Sequence, residues 1–411
     1  MELNLSRVDE YRSIPRVYFG VGAVNKVGEV AKEIAKNTNA IIITDKTLKE
    51  IGLVEGPKKS LEDTGFTVDV YESEAKEPTL KDVKKAIDVV RGKNYGLVVG
   101  IGGGSAMDIA KAGAVMSDSP GELEEYIGRG AKPLVGSKPK LLIPTTSGTG
   151  SESSIWSVMT VSHKDMGTTK TSLAGDLVLA DAAVIDPSLT VGLPPRVTAG
   201  SGMDAMSHTA EAVLSLPANP FSDAIALKAV ELVSQNLRTA YHQGNNIAAR
   251  WNMALAAFIG GMVISYPWVS GPAVLGHIAS EGISTKYGIP HGEACGTLLP
   301  FVYWYNLPDT YGRGKLAKIA EAMGEDVTGL DAKKAAQKAV TATFDLLEDI
   351  DLPTSLKEYN IPMKDIPLIS EYIFTKAEAR PMSKFNPRRA TLENITEFFS
   401  KALEGRESIG L

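Results

Sequence analysis

VVGIGGGSAMDIAKA, residues 98–112, decides how the first half of this chain folds. A β-branched apolar run ends in three consecutive glycines, Gly102, Gly103 and Gly104, and small apolar residues at helical spacing follow. The pattern reads as a buried strand, a tight turn and a helix. Glycine brings no Cβ, so a ligand can approach the backbone closely. The free N–H groups of the following helix turn attract a phosphate, and Ser105 adds a hydroxyl donor. The dinucleotide fingerprint G-x-G-x-x-G would place glycine at 105, where serine stands, and no Walker A pattern is present. On its own, the turn does not separate a nucleotide site from ordinary turn chemistry.

Its surroundings repeat the strand–helix alternation. AIIIT (40–44), FTVDVY (66–71), YGLVVG (95–100) and KLLIPT (140–145) read as strands, and AVNKVGEVAKEIAK and LKDVKKAIDVVRG carry helical periodicity. This alternation predicts an α/β domain with a parallel sheet, which binds ligands at the carboxyl ends of its strands. A second small-residue loop, PTTSGTGSE (144–152), follows the last of these strands and gathers Thr145, Thr146, Ser147, Thr149 and Ser151. Two such loops after parallel strands line one crevice and together read as a clamp for a dinucleotide. Asp45 ends the first of the runs, where a carboxylate can accept hydrogen bonds from a ribose diol and repel a 2′-phosphate, favouring NAD over NADP. It is equally suited to cap a helix over KTLKEIG, and the two roles can coexist.

The second half loses the strands. From LPPRVTAGSGMD onward the chain shows long helical patterns, such as SDAIALKAVELVSQNLRTAY and GRGKLAKIAEAMG, and the proline pair 194–195 marks a boundary near residue 193. The expected division is an α/β domain over 1–192 and an all-helical domain over 193–411. The tail GRESIGL is expected to fray unless a partner subunit holds it.

The helical half holds SGMDAMSHTAEAVLS and, later, GHIASEGISTKYGIPHGEACG. Asp204 and His208 are four residues apart and share one helix face. Alone they would be a surface pair; joined by His277 and His291 they form a mixed carboxylate–imidazole set suited to a divalent metal such as zinc or ferrous iron.

Composition bounds the rest. The 411 residues are 44% hydrophobic and 22% charged, as in globular proteins with room for two cores. A net charge of −6 argues against a nucleic-acid partner. The single cysteine, Cys295, excludes an internal disulfide and reads as a small buried hydrophobe in a reducing compartment. MELNLSRVDEYRS is too polar for a secretory signal, and no apolar run approaches the ~18 residues of a membrane span, so a cytoplasmic protein is expected. His163 reads as a solvated loop residue and His242 as a cation at a helix C-terminus. Trp156, Trp268 and Tyr287 suit a substrate pocket or core packing equally.

GGGSAMDIAKA, PTTSGTGSE, GMDAMSHTAEA and PHG, in this order, resemble the iron-containing, or group III, alcohol dehydrogenases. The resemblance runs from VYFGVGAV through PHGEACG into the helical part. It implies a nucleotide-binding domain and a helical domain of dehydroquinate synthase-like architecture, NAD and a divalent metal as cofactors, a small alcohol or carbonyl substrate, and a homodimer. Carried over by position, the resemblance makes Asp204, His208, His277 and His291 the metal ligands. It makes Gly102 to Ser105 and Asp108 the pyrophosphate turn, and Thr145, Thr146 and Thr149 the second cofactor loop. Lys170 matches a lysine that approaches the cofactor, and Asp45 matches a position where NAD-preferring members carry aspartate. The chain departs from the family at Glu281, where relatives carry a histidine associated with proton relay; glutamate there either relays a proton or recognises a polar substrate group. The expected reaction is hydride transfer between an alcohol and NAD. The alternatives are a hydroxyacid–oxoacid transhydrogenase, a lyase resembling dehydroquinate synthase, and a nucleotide-binding module without chemistry. The lyase would need a basic cluster beside the metal motifs, which the sequence lacks.

Overall fold

The computed structural model describes residues 13–73, 77–128, 130–265, 274–379 and 385–411; Trp268 and most of the N-terminal stretch MELNLSRVDEYRS lie outside them. One compact unit spans Ser13–Gly192 and another Leu193–Leu411.

In the first unit, six strands form a wholly parallel sheet: β1 (Val17–Phe19), β2 (Asn39–Asp45), β3 (Thr67–Ser73), β4 (Leu97–Gly102), β5 (Lys140–Pro144) and β8 (Ala182–Ile185). The spatial order is β1-β8-β5-β4-β2-β3. β6 (Trp156–His163) and β7 (Gly167–Ala174) make a separate antiparallel hairpin. The helices are α1 (Val27–Ile34), α2 (Lys46–Glu50), α3 (Glu55–Asp63), α4 (Leu80–Arg91) and α5 (Gly104–Asp118). Every residue of β4 and β5 is buried, which is why these strands read as unbroken apolar runs.

The chain leaves β2 toward β3 on one side and β4 toward β5 on the other. The strand order therefore reverses between β2 and β4, so their carboxyl ends, Asp45 and Gly102, flank the crevice that a ligand enters in such sheets. Gly102 pairs in register with Pro144, which sets the glycine turn beside the 144–152 loop.

That loop is anchored from below. Lys111 on α5 is wholly buried and donates to Ser151 Oγ (3.0 Å), Ser154 Oγ (3.2 Å) and the Trp156 carbonyl (2.7 Å). Asp108, one turn earlier, accepts from Ser151 Oγ (2.5 Å) and from the Val158 amide (3.0 Å). Burial lowers the Lys111 ammonium to about 8, against the pull of Asp108 and Glu152. Burial likewise pushes the Glu152 carboxyl up to about 7.

The second unit contains no strand among the described residues. Its helices are α6 (Pro195–Leu214), α7 (Pro220–His242), α8 (Ile247–Val263), α9 (Leu275–Tyr287), α10 (His291–Asn306), α11 (Thr310–Ala322), α12 (Ala332–Asp349), α13 (Ile366–Ala379) and α14 (Leu392–Glu404). α6 starts with proline at its first position and packs against α7, α8 and α10. It is buried on nearly every side from Thr198 onward. No helix among the described residues is long and apolar enough to cross a membrane.

The tail departs from the sequence expectation. Arg406–Ile409 forms a short helical turn; Arg406 pairs with Asp345 (2.8 Å) and Glu348 (3.0 Å), and Ile409 is buried. The same chain supplies these contacts, so the tail needs no partner subunit to order it. The apolar anchor, Ile409, is a single residue in a polar stretch, too weak a signal to read from sequence.

Glu152 gives a pH signature. A carboxyl that protonates more readily folded than unfolded adds stability at low pH, and that stability is lost as pH rises from the ordinary carboxylate range through 7. Thermal unfolding across this window should show wild type losing stability relative to Glu152→Gln, by on the order of 3 kcal/mol at most. Parallel pH profiles for the two proteins would contradict the buried-carboxyl account.

Candidate functional site

The metal motifs converge on one atom. Asp204 Oδ1 lies 4.0 Å from His208 Nε2, 3.8 Å from His277 Nε2 and 3.9 Å from His291 Nε2. These distances are too long for hydrogen bonds and suit donors sharing a cation, each about 2.0–2.2 Å from it. Asp204 and His277 are almost wholly buried, yet Asp204 Oδ1 and His277 Nε2 have no hydrogen-bond partner among the described residues. Leaving two such atoms unsatisfied is costly, and a bound divalent ion would satisfy both. Burial pushes the Asp204 carboxyl up, but His208, His277 and His291 together hold it well below the usual carboxylate range. The residues therefore fit a divalent metal.

Three helices deliver these groups. Asp204 and His208 lie one turn apart on α6, His277 near the start of α9, and His291 at the first position of α10. Close helix approach depends on glycine. A Cβ on Gly292 would sit 2.2 Å from the Gly200 carbonyl oxygen and 3.1 Å from Asp204 Cβ, so the glycine after His291 lets α10 reach α6. Glu293 is buried and takes a two-point ion pair from Arg196 (2.8 and 2.6 Å), which ties the starts of the same two helices.

The sequence reading missed two residues here. Glu211 Oε1 lies 2.7 Å from His277 Nδ1, and Glu211 Oε2 accepts from the His277 amide at 3.3 Å. A carboxylate holding the proton at Nδ1 leaves the Nε2 lone pair facing Asp204. Glu211 follows Asp204 by seven and His208 by three, a helical-face spacing that could have exposed it. The other residue is Cys295, one turn after His291. Single donor atoms of Asp204, His277, His291 and Cys295 all lie within 4.8 Å of one another, and the thiol is buried as expected.

Glu281 sits one turn beyond His277 on α9 and is paired with Lys376 Nζ, which also donates to Tyr372 Oη (3.1 Å). Nothing in sequence links position 281 to 376. Tyr287 Oη donates to Asp365 Oδ2 (2.8 Å).

In the first unit, the predicted cofactor residues gather at the ends of β2, β4 and β5. No side-chain hydrogen bond caps α5. Gly102 has φ +151°, which side chains rarely adopt, and Cβ atoms on Gly103 and Gly104 would lie 3.5 Å from Thr146 and 2.7 Å from Thr149. The turn and the threonine loop thus form one narrow cradle. Ser147 Oγ, buried in that loop, has no hydrogen-bond partner among the described residues. Asp45 Oδ1 caps α2 through the Leu48 amide (2.9 Å), while a Cβ on Gly102 would lie 3.5 Å from Oδ2. Asp108 has both carboxylate oxygens engaged by Ser151 and Val158, so its hold on the cradle runs through the loop. Lys170, on β7, lies 3.9 Å from Glu77 and exerts a positive field on Asp108.

Comparison with known proteins places the chain in a family. Residues 15–187 match the family model for iron-containing alcohol dehydrogenase, and residues 198–403 match the C-terminal model for the Fe-containing alcohol dehydrogenase family. Long-chain-alcohol dehydrogenase 1 of Geobacillus thermodenitrificans is 36% identical over 351 residues, 85% of this chain and 86% of that protein. An NAD-dependent methanol dehydrogenase of Bacillus methanolicus is 32% identical, covering 95% of this chain and 98% of its own length. The crystal structure of a 1,3-propanediol oxidoreductase superposes with a TM-score of 0.89 at 31% identity, covering 97% of this chain and all of that one. The chain belongs to the iron-containing alcohol dehydrogenase family. Its activity is metal-dependent, NAD-linked alcohol dehydrogenation, an oxidoreduction of CH–OH groups.

Replacing Glu211 with glutamine removes the charge that fixes the His277 tautomer and keeps the side chain's volume. Metal affinity, measured by competition with a chelator, should fall by roughly 10–100-fold. Unchanged affinity would mean that Glu211 only packs.

Proposed function

We propose that this chain oxidises small polar alcohols, or reduces the matching carbonyls, with Asp204, His208, His277 and His291 holding Fe2+ or Zn2+. The observation that carries this reading is the approach of three imidazole nitrogens to the single oxygen Asp204 Oδ1. When bound, the divalent ion supplies Lewis acidity toward the substrate oxygen, and the nicotinamide gives or accepts the hydride.

The remaining work belongs to the chain. Glu211 Oε1 keeps the proton at His277 Nδ1, so Nε2 stays a donor atom. Gly102, Gly103, Gly104 and Ser105 receive the pyrophosphate at the start of α5, and Thr145, Thr146 and Thr149 line its other side. Asp45 Oδ2 accepts from a ribose hydroxyl while Oδ1 caps α2, and its charge disfavours a 2′-phosphate. Asp108 holds the threonine loop in place, and Lys170 adds positive charge beside it.

Glu281 takes the role of the proton-handling residue. Its carboxylate receives the proton leaving the substrate hydroxyl and becomes neutral, and Lys376 Nζ holds the carboxyl group in place. An ion pair at this place on α9 also favours substrates with a second polar group, such as diols and hydroxy acids, over simple alkanols. The single cysteine and the family resemblance support a cytoplasmic homodimer.

The test is NAD reduction by the purified chain, reconstituted with iron or zinc and offered alkanols, diols and hydroxy acids. Turnover should appear with NAD, be highest with a polar alcohol, and fall in His277→Ala by at least on the order of a hundredfold, more than loss of a supporting partner costs. NAD affinity of that variant should stay within about threefold, since NAD binds the α/β unit. Full activity in the variant would contradict the ligand assignment, and a strong NADP preference would contradict the role of Asp45.

A further inference from the structure

We propose that the metal centre contains a second, sulfur-bearing donor set, Asp204–His277–His291–Cys295, through which zinc-like soft or borderline divalent ions bind as a thiolate complex. The inference deepens the metal reading given above and rests on it. His208 and Cys295 then compete to complete one three-residue platform: the imidazole gives an all-nitrogen-and-oxygen set, the thiolate a softer one.

Four observations carry it. Cys295 lies one turn after His291 on α10, so both side chains leave the same helix face. Its Sγ is buried and lies 3.7 Å from His291 Nε2. Tetrahedral zinc with Zn–S about 2.3 Å and Zn–N about 2.1 Å has S···N edges of about 3.6 Å, close to that separation. The donor atoms of Asp204, His277, His291 and Cys295 form a group within 4.8 Å that does not include His208. Finally, two buried atoms of the shared platform, Asp204 Oδ1 and His277 Nε2, have no hydrogen-bond partner among the described residues. Besides the His277 and His291 rings, the thiol meets Ser280 Oγ at 3.2 Å, a weak bond that a metal–sulfur bond easily replaces.

The step balances simply. The Cys295 S–H bond breaks, its proton leaves to solvent, and the sulfur lone pair forms the bond to the divalent ion; no electron is transferred. Softness then sorts the ions: thiolate ligation favours zinc, cadmium and cobalt over ferrous iron, which the all-nitrogen-and-oxygen set accommodates.

Cobalt(II) tests this without any assay of activity. Cys295 is the only cysteine of the chain, so a sulfur-to-cobalt charge-transfer band has one possible source. The full-length protein with one equivalent of cobalt should show that near-ultraviolet band beside the visible d–d bands. Cys295→Ser and Cys295→Ala should keep the cobalt and the visible bands and lose the near-ultraviolet one, and cadmium affinity should fall at least about tenfold. Cobalt bound in wild type without a charge-transfer band, or a band that persists in both variants, overturns the thiolate set and leaves the metal reading standing. Failure of wild type to bind cobalt, zinc or iron overturns both.

Discussion

A buried carboxylate oxygen surrounded by imidazoles is the constraint on which the helical unit depends. Asp204 sits on α6, a helix buried along nearly its whole length, with Oδ1 facing three ring nitrogens at 3.8–4.0 Å and hydrogen-bonded to none. Burying an anion is expensive, and the imidazoles alone do not explain why they stop short of contact. A divalent cation at their common centre accounts for both features. Around it, Glu211 fixes one ring, and the Arg196–Glu293 pair ties the starts of α6 and α10. The same demand explains the glycines: α10 can bring His291 to Asp204 only because position 292 carries no Cβ to strike the Gly200 carbonyl.

The α/β unit follows a parallel logic with a different ligand. There the constraint is close backbone approach at the ends of β4 and β5, where Gly103 and Gly104 face Thr146 and Thr149. A side chain at 104 would push the threonine loop away. Rigidity is supplied beneath the loop by the buried Lys111–Asp108 pair, whose hydrogen bonds end on Ser151, Ser154, Trp156 and Val158.

Much of this was legible in the sequence, for identifiable reasons. Strands buried on both faces write themselves as apolar runs, so β2, β4 and β5 were plain and the edge strand β3 showed by its alternating β-branched residues, whereas β1 and β8 are short and the β6–β7 hairpin is mixed in polarity. Asp204 and His208 announced themselves by helical spacing, and the ordered motifs linked them to His277 and His291. Glu211 carried a spacing signal that was overlooked. Cys295 was read as packing because a lone thiol gives no spacing pattern, and its meaning depends on where α10 lies. Lys376 could not have been found: it meets Glu281 from ninety-five positions away, on a different helix. The docked tail failed for a similar reason, since the acidic partners of Arg406 lie on α12.

The account stands on a cation at the focus of these side chains. Crystals of the metal-loaded protein, measured on either side of the metal's absorption edge, test that directly. The account predicts one anomalous peak per chain, about 2.0–2.2 Å from Asp204 Oδ1 and from the Nε2 atoms of His277 and His291. A peak elsewhere, or none at full metal loading, would contradict it.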